Sequence, residues 1–171
     1  FCVGGNVTLT SSLGNAYLWS NGSTSSSITV SSSGSFSVQT ISAQGCTSAV
    51  SVATVVTVDS LPTTPSITAS GATTFCDGGN VTLTSSLGNS YLWSNGSTSS
   101  SITVSSSGSF TVQTISAQGC TSAISPATVV TVNALPTTPS ITASGATTFC
   151  DGGNVTLTSS LGDSYLWSNG S

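Results

Sequence analysis

Residues 91–113 read YLWSNGSTSSSITVSSSGSFTVQ, and the pattern of this stretch decides the fold. Short runs of β-branched and aromatic residues at 91–94 and 101–104, and a longer one beginning at 110, are separated by turns of Asn, Gly and Ser. Such runs are typical of antiparallel strands, and no part of the chain has the apolar spacing of an amphipathic helix. Three further runs complete the pattern, at 66–71, 80–86 and 127–133. The sequence therefore predicts an all-β protein.

The same pattern recurs with a period of 74 residues, and residues 1–74 and 75–148 differ at only seven positions. A unit of this length suits a small domain and is too long for helical or leucine-rich solenoid repeats. Six or seven short strands per period predict tandem immunoglobulin-like antiparallel β-sandwiches. We assign residues 1–60 to repeat 1, which lacks its first strand, residues 61–134 to repeat 2, and residues 135–171 to a truncated repeat 3.

A two-proline connector separates the repeats, with the sequence LPTTP beginning at Leu61 and again at Leu135. Pro62 and Pro65 restrict φ and favour extended backbone, so this connector is expected to be short and stiff. The expected shape is a semi-rigid rod of domains. For repeat 3, two interpretations stay open: it continues the covalent rod, or a neighbouring chain completes its sandwich by strand exchange.

Composition excludes several classes of function. The chain has no Lys, Arg, His, Glu or Met, and its only carboxylate side chains are Asp59, Asp77, Asp151 and Asp163. General acid–base catalysis and nucleophile activation need bases that are missing here, so we expect no catalytic residue, no cofactor and no enzyme activity. Phosphate binding needs basic side chains, and the formal charge of −4 argues against nucleic acid as a partner. No apolar run approaches the length of a membrane span.

The five cysteines recur at two positions of the repeat. Cys2 and Cys46 are 44 residues apart, as are Cys76 and Cys120, which leaves Cys150 for a partner beyond the chain. Zinc is disfavoured because there is no His and no CxxC pair, so we expect no metal site. We predict disulfides Cys2–Cys46 and Cys76–Cys120, each closing one end of a sandwich and stabilising it by about 4 kcal/mol. Disulfides of this importance imply an oxidising compartment.

One tryptophan occupies the same strand position in each repeat, as Trp19, Trp93 and Trp167. An exposed indole at this position would stack on a sugar ring, whereas a buried one would fill the space between two sheets. The core role is favoured, because each full period has only one Trp, one Tyr and two Phe to fill its interior.

Three residues are candidate glycosylation sites. Asn21 and Asn95 begin N-x-S/T motifs within turns, and Ser60 lies in an Asp-Ser-Leu motif that resembles a bacterial O-glycosylation site. The second repeat has Asn133-Ala134 where the first has Asp59-Ser60, so the O-linked motif occurs once. An almost uncharged rod outside the cell needs another source of hydration, which glycans would supply.

Several motifs together resemble a known family. CDGGNVTLTSS from Cys76, Trp93-Ser94-Asn95-Gly96, Gly108-Ser109-Phe110 and Gly119-Cys120 are similar to the Ig-like repeats of large Bacteroidota surface proteins, including gliding-motility adhesins of the SprB type and adhesin-like modules of type IX-secreted proteins. Phe110 stands where that family often has Tyr. The resemblance implies an extracellular or cell-surface filament or stalk whose partners are neighbouring repeats of the same polypeptide, surface glycans or other cells. The alternative is a spacer or carbohydrate-binding module within a larger secreted protein.

Overall fold

The computed structural model describes residues 1–12 and 14–170, which contain sixteen strands and no helix. The prediction of an all-β protein is confirmed, and the strands form small sheets in which the registered pairs are antiparallel. The chain divides into two compact units, Phe1–Val132 and Asn133–Ser171. Repeats 1 and 2 thus belong to one unit, apart from the last two residues of repeat 2. Ser171, the end of repeat 3, lies outside the described residues.

Repeat 2 has eight strands in three sheets. In chain order these are β7 (Ile67–Ala69), β8 (Thr74–Cys76), β9 (Val81–Ser85), β10 (Ser90–Trp93), β11 (Ser101–Val104), β12 (Gly108–Phe110), β13 (Val112–Ile115) and β14 (Thr128–Asn133). One sheet has the order β11-β9-β7, a second has β12-β14-β8, and β10 pairs with β13. Asn95-Gly96 forms the tight turn after β10, where the Gly96 N–H donates to the Trp93 carbonyl at 2.9 Å and Gly96 has a positive φ of 84°.

The core of repeat 2 lies between the β11-β9-β7 sheet and the other strands. Alternate residues of β9 and β11 point inward, so that Val81 and Leu83 of β9 are buried while Thr84 of the same strand is exposed. These apolar side chains meet Trp93 of β10 and Val112 of β13, and the seven members of the cluster are Val81, Leu83, Trp93, Ile102, Val104, Val112 and Val130. The alternation of the sequence therefore places one face of each strand in this core.

The described residues of repeat 1, 1–12 and 14–60, form six strands with the same order of pairing. They are β1 (Val7–Thr10), β2 (Ala16–Trp19), β3 (Ser27–Val30), β4 (Gly34–Phe36), β5 (Val38–Ile41) and β6 (Thr54–Val56). β1 pairs with β3, β2 with β5, and β4 with β6. The core is smaller than that of repeat 2 and contains four buried residues, Trp19, Ile28, Val30 and Val56.

Two details of repeat 2 differ from the sequence prediction. The single fifth strand expected at 110–116 is divided at Thr111, because β12 pairs with β14 whereas β13 pairs with β10. The Thr111 carbonyl accepts from the Ser94 N–H at 2.9 Å and its own N–H donates to Ser94 Oγ at 3.2 Å. In addition, Thr74–Cys76 forms a strand, β8, that the apolar pattern did not indicate. The bonds to Ser94 hold the chain where it changes its strand partner.

The second unit contains one antiparallel pair, β15 (Ile141–Ala143) and β16 (Leu157–Ser159). None of residues 133–170 is buried, and Leu161 and Leu166 are almost fully exposed. Trp167 is only partly covered, so it differs from the fully enclosed core residue that its sequence position predicts. The reason is that no second sheet faces β15 and β16 within the described part of this unit.

Candidate functional site at the junction of repeats 1 and 2

Cys2 lies at the end of repeat 1 where the last strand, β6, leads into the connector. Cys2 and Asp59 form a parallel bridge, in which the Val3 N–H donates to the Asp59 carbonyl at 2.9 Å and the Asp59 N–H donates to the Phe1 carbonyl at 2.8 Å. Asp59 follows β6 by three residues, so Cys2 is anchored at the point where the chain leaves repeat 1.

Cys46 lies at the opposite end of the same repeat. It follows β5 in a turn closed by the Ser42 N–H, which donates to the Cys46 carbonyl at 2.9 Å. Because β6 is antiparallel to β4, the last residue of β6 lies beside Gly34, the first residue of β4. The end of β5, which follows β4 in the chain, lies beyond the first residue of β6. Residues 34–41 span about 25 Å at about 3.4 Å per residue, whereas a disulfide requires Cα atoms within about 7 Å. The two cysteines of one repeat are therefore too far apart to bond.

The disulfide in the structure joins the two repeats: Cys2 is bonded to Cys120, with Cα atoms 5.5 Å apart and a sequence separation of 118. The predicted pairs Cys2–Cys46 and Cys76–Cys120 are therefore wrong, because strand direction places the cysteines of each pair at opposite ends of a repeat. Cys46, Cys76 and Cys150 are free and exposed, whereas Cys120 is only 1% exposed. The cysteine positions recur as the sequence indicates, but the bond crosses the junction.

Repeat 2 presents a defined surface to the end of repeat 1, which we call the acceptor surface: Gly88, Asn89, residues 114–116, Gln118 and Cys120. Apart from Cys120, these residues and Leu87 line a cleft of about 360 Å³ whose other side is formed by residues 59–63 of repeat 1 and the connector. Pro62 is half-buried and Pro65 is buried, so both prolines of the connector lie against protein while Leu61, Thr63 and Thr64 are exposed. The acceptor surface thus holds the start of the connector close to the disulfide.

Gly88 is needed where the chain passes closely over β13. A Cβ at this position would lie 2.6 Å from Thr114 Cγ2 and 2.9 Å from Thr114 Cβ, closer than real Cβ contacts. The Gly88 N–H donates to the Tyr91 hydroxyl at 3.1 Å, which fixes the loop over the strand. Glycine at 88 therefore shapes one wall of the acceptor surface.

The equivalent surface of repeat 1 is uncovered. Gly14, Asn15, residues 40–42, Gln44 and Cys46 occupy the same repeat positions as the acceptor surface of repeat 2. They line an open cleft of about 560 Å³. The free thiol of Cys46 thus lies on this surface, at the place where Cys120 is bonded in repeat 2.

Among the other predicted residues of the first unit, one lines the junction cleft and the rest do not. Trp19 and Trp93 are buried, and their Nε1 atoms donate to the carbonyls of Ser25 and Ser99 at 2.8 Å. Asn21 and Asn95 are exposed in turns, where each Oδ1 accepts from the N–H two residues later at 3.1 Å. Ser60 is the exception, because it is exposed and lines the junction cleft.

Within residues 1–12 and 14–170, no group of three or more His, Cys, Asp or Glu side chains could hold a metal ion. The described residues also contain no helix of the length and apolarity needed to cross a membrane. No protein-family model matches the chain, and no curated protein matches it in sequence. The geometry of the junction is therefore the main guide to function.

Proposed function

We propose that this chain is a segment of an extracellular structural or adhesive filament, or stalk, built from tandem disulfide-stapled Ig-like domains on a cell surface. The Cys2–Cys120 bond carries this proposal, because it joins two adjacent sequence repeats and not two parts of one repeat. A bond within a domain would stabilise that domain alone. A bond between domains restrains their relative orientation, which is a property that a filament or stalk requires and that an independently folded enzyme does not.

The connector adds a second restraint at the same junction. Residues 61–65 include two prolines and lie between the last strand of repeat 1 and the first strand of repeat 2. A Gly/Ser linker would allow free rotation, whereas proline favours extended backbone with few conformations. Peptide and disulfide together provide two covalent connections across one interface, and two connections suppress bending better than one.

The strand order supports the Ig-like part of the proposal. In repeat 2, β7, β9 and β11 supply one side of the core, and β10, β12, β13 and β14 supply the other. Division of seven or eight short strands between two sides around a central Trp is typical of immunoglobulin-like sandwiches. The early part of the repeat contributes strands to both sides, since β7 pairs with β9 and β8 pairs with β14.

Sugar stacking on the tryptophans has little support in repeats 1 and 2. Trp93 is 2% exposed and Trp19 is 5% exposed, and both indole N–H groups are already hydrogen-bonded to backbone carbonyls. A stacking platform needs an accessible ring face. A carbohydrate-binding role for these two residues would thus require the domain to open.

The proposal can be tested by immunogold electron microscopy of intact source cells with an antibody raised against the oxidised chain. We expect labelling of thin structures outside the cell envelope, repeated along their length. Treatment of the intact cells with an external protease should remove the label, and an antibody to a cytoplasmic protein provides the control.

Two results would contradict this function. Labelling that appears only after the cells are permeabilised would place the protein inside. Recovery of the antigen from the culture fluid, joined to a catalytic domain and without filaments, would favour the spacer role within a secreted protein.

A further inference from the structure

We propose that the Cys2–Cys120 bond is one member of a repeating series, in which the first cysteine of each repeat bonds the second cysteine of the following repeat. Under this rule Cys76 is the thiol that bonds a following complete repeat, and Cys46 is the thiol that bonds a preceding one. The partner of each is a further repeat of the same sequence. The proposal rests on the disulfide geometry and does not depend on where in or outside the cell the protein functions.

The spacing of the bonded cysteines agrees with this rule. Their separation of 118 residues is one repeat period of 74 residues plus the 44 residues between the two cysteine positions of a repeat. Because Cys2 and Cys76 are the same position of successive repeats, as are Cys46 and Cys120, the rule uses each cysteine once. Each cysteine therefore has a single partner under this rule.

Strand direction supplies the physical reason for the rule. The first cysteine of a repeat lies beside the end of its last strand, and the second lies at the far end of the domain, after β5 in repeat 1 and after β13 in repeat 2. A domain that follows through a short connector therefore presents its second cysteine to the first cysteine of its predecessor. Each repeat has one end that carries the first cysteine and another that carries the acceptor surface.

The uncovered acceptor surface of repeat 1 is the independent observation behind the proposal. Its residues correspond position by position to those that receive residues 59–63 in repeat 2, and Cys46 is exposed on it. The thiol of Cys76 is likewise exposed at the end of β8. The connector that follows repeat 2, residues 135–139, has the same sequence as residues 61–65, so it provides the same spacing for a following domain.

Formation of each bond needs an oxidant that contains a disulfide. One protein thiolate attacks the oxidant's disulfide, forms a mixed disulfide and releases one thiol, and the second protein thiolate then attacks the protein sulfur of the mixed disulfide and releases the other thiol. Two protein thiols thus lose two protons and two electrons, and the oxidant is reduced to two thiols. Glutathione disulfide supplies this chemistry in vitro.

The test is an extended chain in which Ser171 is followed by a copy of residues 98–134, so that repeat 3 is complete. This chain has six cysteines. After refolding with glutathione disulfide and reduced glutathione, we expect two bonds, Cys2–Cys120 and Cys76 to the added copy of Cys120, with free thiols at Cys46 and Cys150. Pairing within repeats would instead give three bonds and no free thiol. Thiol counting and non-reducing peptide mapping by mass spectrometry distinguish the two outcomes.

A second extended chain tests the rule at the other end and covers the case in which the completed repeat 3 does not fold. A copy of residues 61–148 placed before Phe1 supplies a complete preceding repeat together with the connector and first strand of repeat 1, and its copy of Cys76 is expected to bond Cys46. The variant Cys46→Ser of this chain is the matched control and should leave that added cysteine as a thiol.

Three results would overturn the proposal. The first is bonding within repeats in either extended chain. The second is formation of Cys2–Cys120 in both chains with no second bond between repeats in either. The third is a bond from Cys76 to Cys150. A failed surface-labelling experiment with correct bonding would contradict the proposed function and leave the bonding rule standing.

Discussion

Repeats 1 and 2 have nearly the same sequence, yet they differ clearly in burial. Val112 is 1% exposed in repeat 2, whereas Val38 at the same position of repeat 1 is only half-buried. Ser122 and Ser125 are buried, whereas Ser48 and Ser51 are exposed. None of these four serines or two valines is among the seven positions at which the repeats differ. The compared residues are thus identical in the two repeats, although the differing positions 37/111, 50/124 and 52/126 adjoin them.

Two neighbours explain the better burial of repeat 2. Strand β7 pairs with β9 and covers Leu83, which is fully buried, whereas β1 pairs only with β3 and Leu9 is half-buried. The end of repeat 1 and the connector cover the acceptor surface of repeat 2. A repeat of this size is marginal when isolated, and it gains stability from the strand and the domain that precede it.

The largest effect is expected from removal of the disulfide. Cys2→Ser opens a loop of 118 residues, and the chain-entropy model assigns about 5 kcal/mol to a loop of that size. Calorimetry under oxidising conditions should show a large fall in melting temperature, and Ser122 should become more accessible to hydrogen exchange. The matched control is Cys46→Ser, which replaces an exposed thiol and should leave the melting temperature unchanged. Equal effects of both substitutions would contradict the Cys2–Cys120 pairing.

The next largest effect is expected in the cores. Trp93→Ala removes the largest buried side chain of a seven-residue cluster and should cost about 3–5 kcal/mol. Trp19→Ala should cost less, because its cluster has four buried members and more exposed surroundings that relax around the cavity. Limited proteolysis with peptide mapping reports which repeat opens. The control is Leu92→Ala, because Leu92 is the residue next to Trp93 and is 43% exposed. This substitution should leave repeat 2 protected from proteolysis.

A smaller effect is expected at two valines that make the same hydrogen bond but differ in burial. The Val112 N–H donates to Ser125 Oγ and the Val38 N–H donates to Ser51 Oγ, both at 3.0 Å. Both residues lie in strands paired in the same register with a tryptophan strand, Val112 with Trp93 and Val38 with Trp19. Val112→Ala should therefore lower the unfolding free energy by about 2 kcal/mol and Val38→Ala by less than about 1 kcal/mol. Chemical denaturation measures both, and equal losses would show that the neighbours of repeat 2 do not improve its packing.

The smallest effect on stability is expected from glycans, whose positions also distinguish the two repeats. Ser60 is exposed at the junction within Asp59-Ser60-Leu61, whereas repeat 2 has Asn133-Ala134 at those positions. Protein purified from its source should carry a glycan at Ser60 and none at the equivalent place in repeat 2, and Asn21 and Asn95 should be modified alike. Glycopeptide mass spectrometry measures this. An intact mass equal to that of the bare polypeptide would contradict all three sites.

The strands and the burial of two tryptophans were predictable, because they depend on local patterns. Alternation of Val81 and Leu83 with threonines identifies β9, and Asn95-Gly96 marks the turn after β10. The division of the fifth strand at Thr111 was not predictable, since it depends on which partner strand lies beside each half. Local sequence contains no information about that choice.

The disulfide shows where spacing alone becomes ambiguous. Cys2 is 44 residues from Cys46 and one period more from Cys120. Either pairing can therefore recur in every repeat, and the spacing does not distinguish them. Only the antiparallel arrangement of β4 and β6 shows that Cys46 lies at the wrong end of its own repeat. The acceptor surface was missed for the same reason: it is assembled from residues 88–89 and 114–118, which come together only in the folded repeat.

The bond between Cys2 and Cys120 also determines how the chain responds to tension. A pulling force applied at Phe1 and Val132, the two ends of the first compact unit, crosses from Cys2 to Cys120 through the sulfur atoms and bypasses most of repeats 1 and 2. The enclosed loop withholds about 400 Å of contour length, at about 3.4 Å per residue, even when both domains unfold. Reduction of one bond releases that length. The oxidation state of a single cysteine pair thus decides whether this region is a stiff tether or an extensible one.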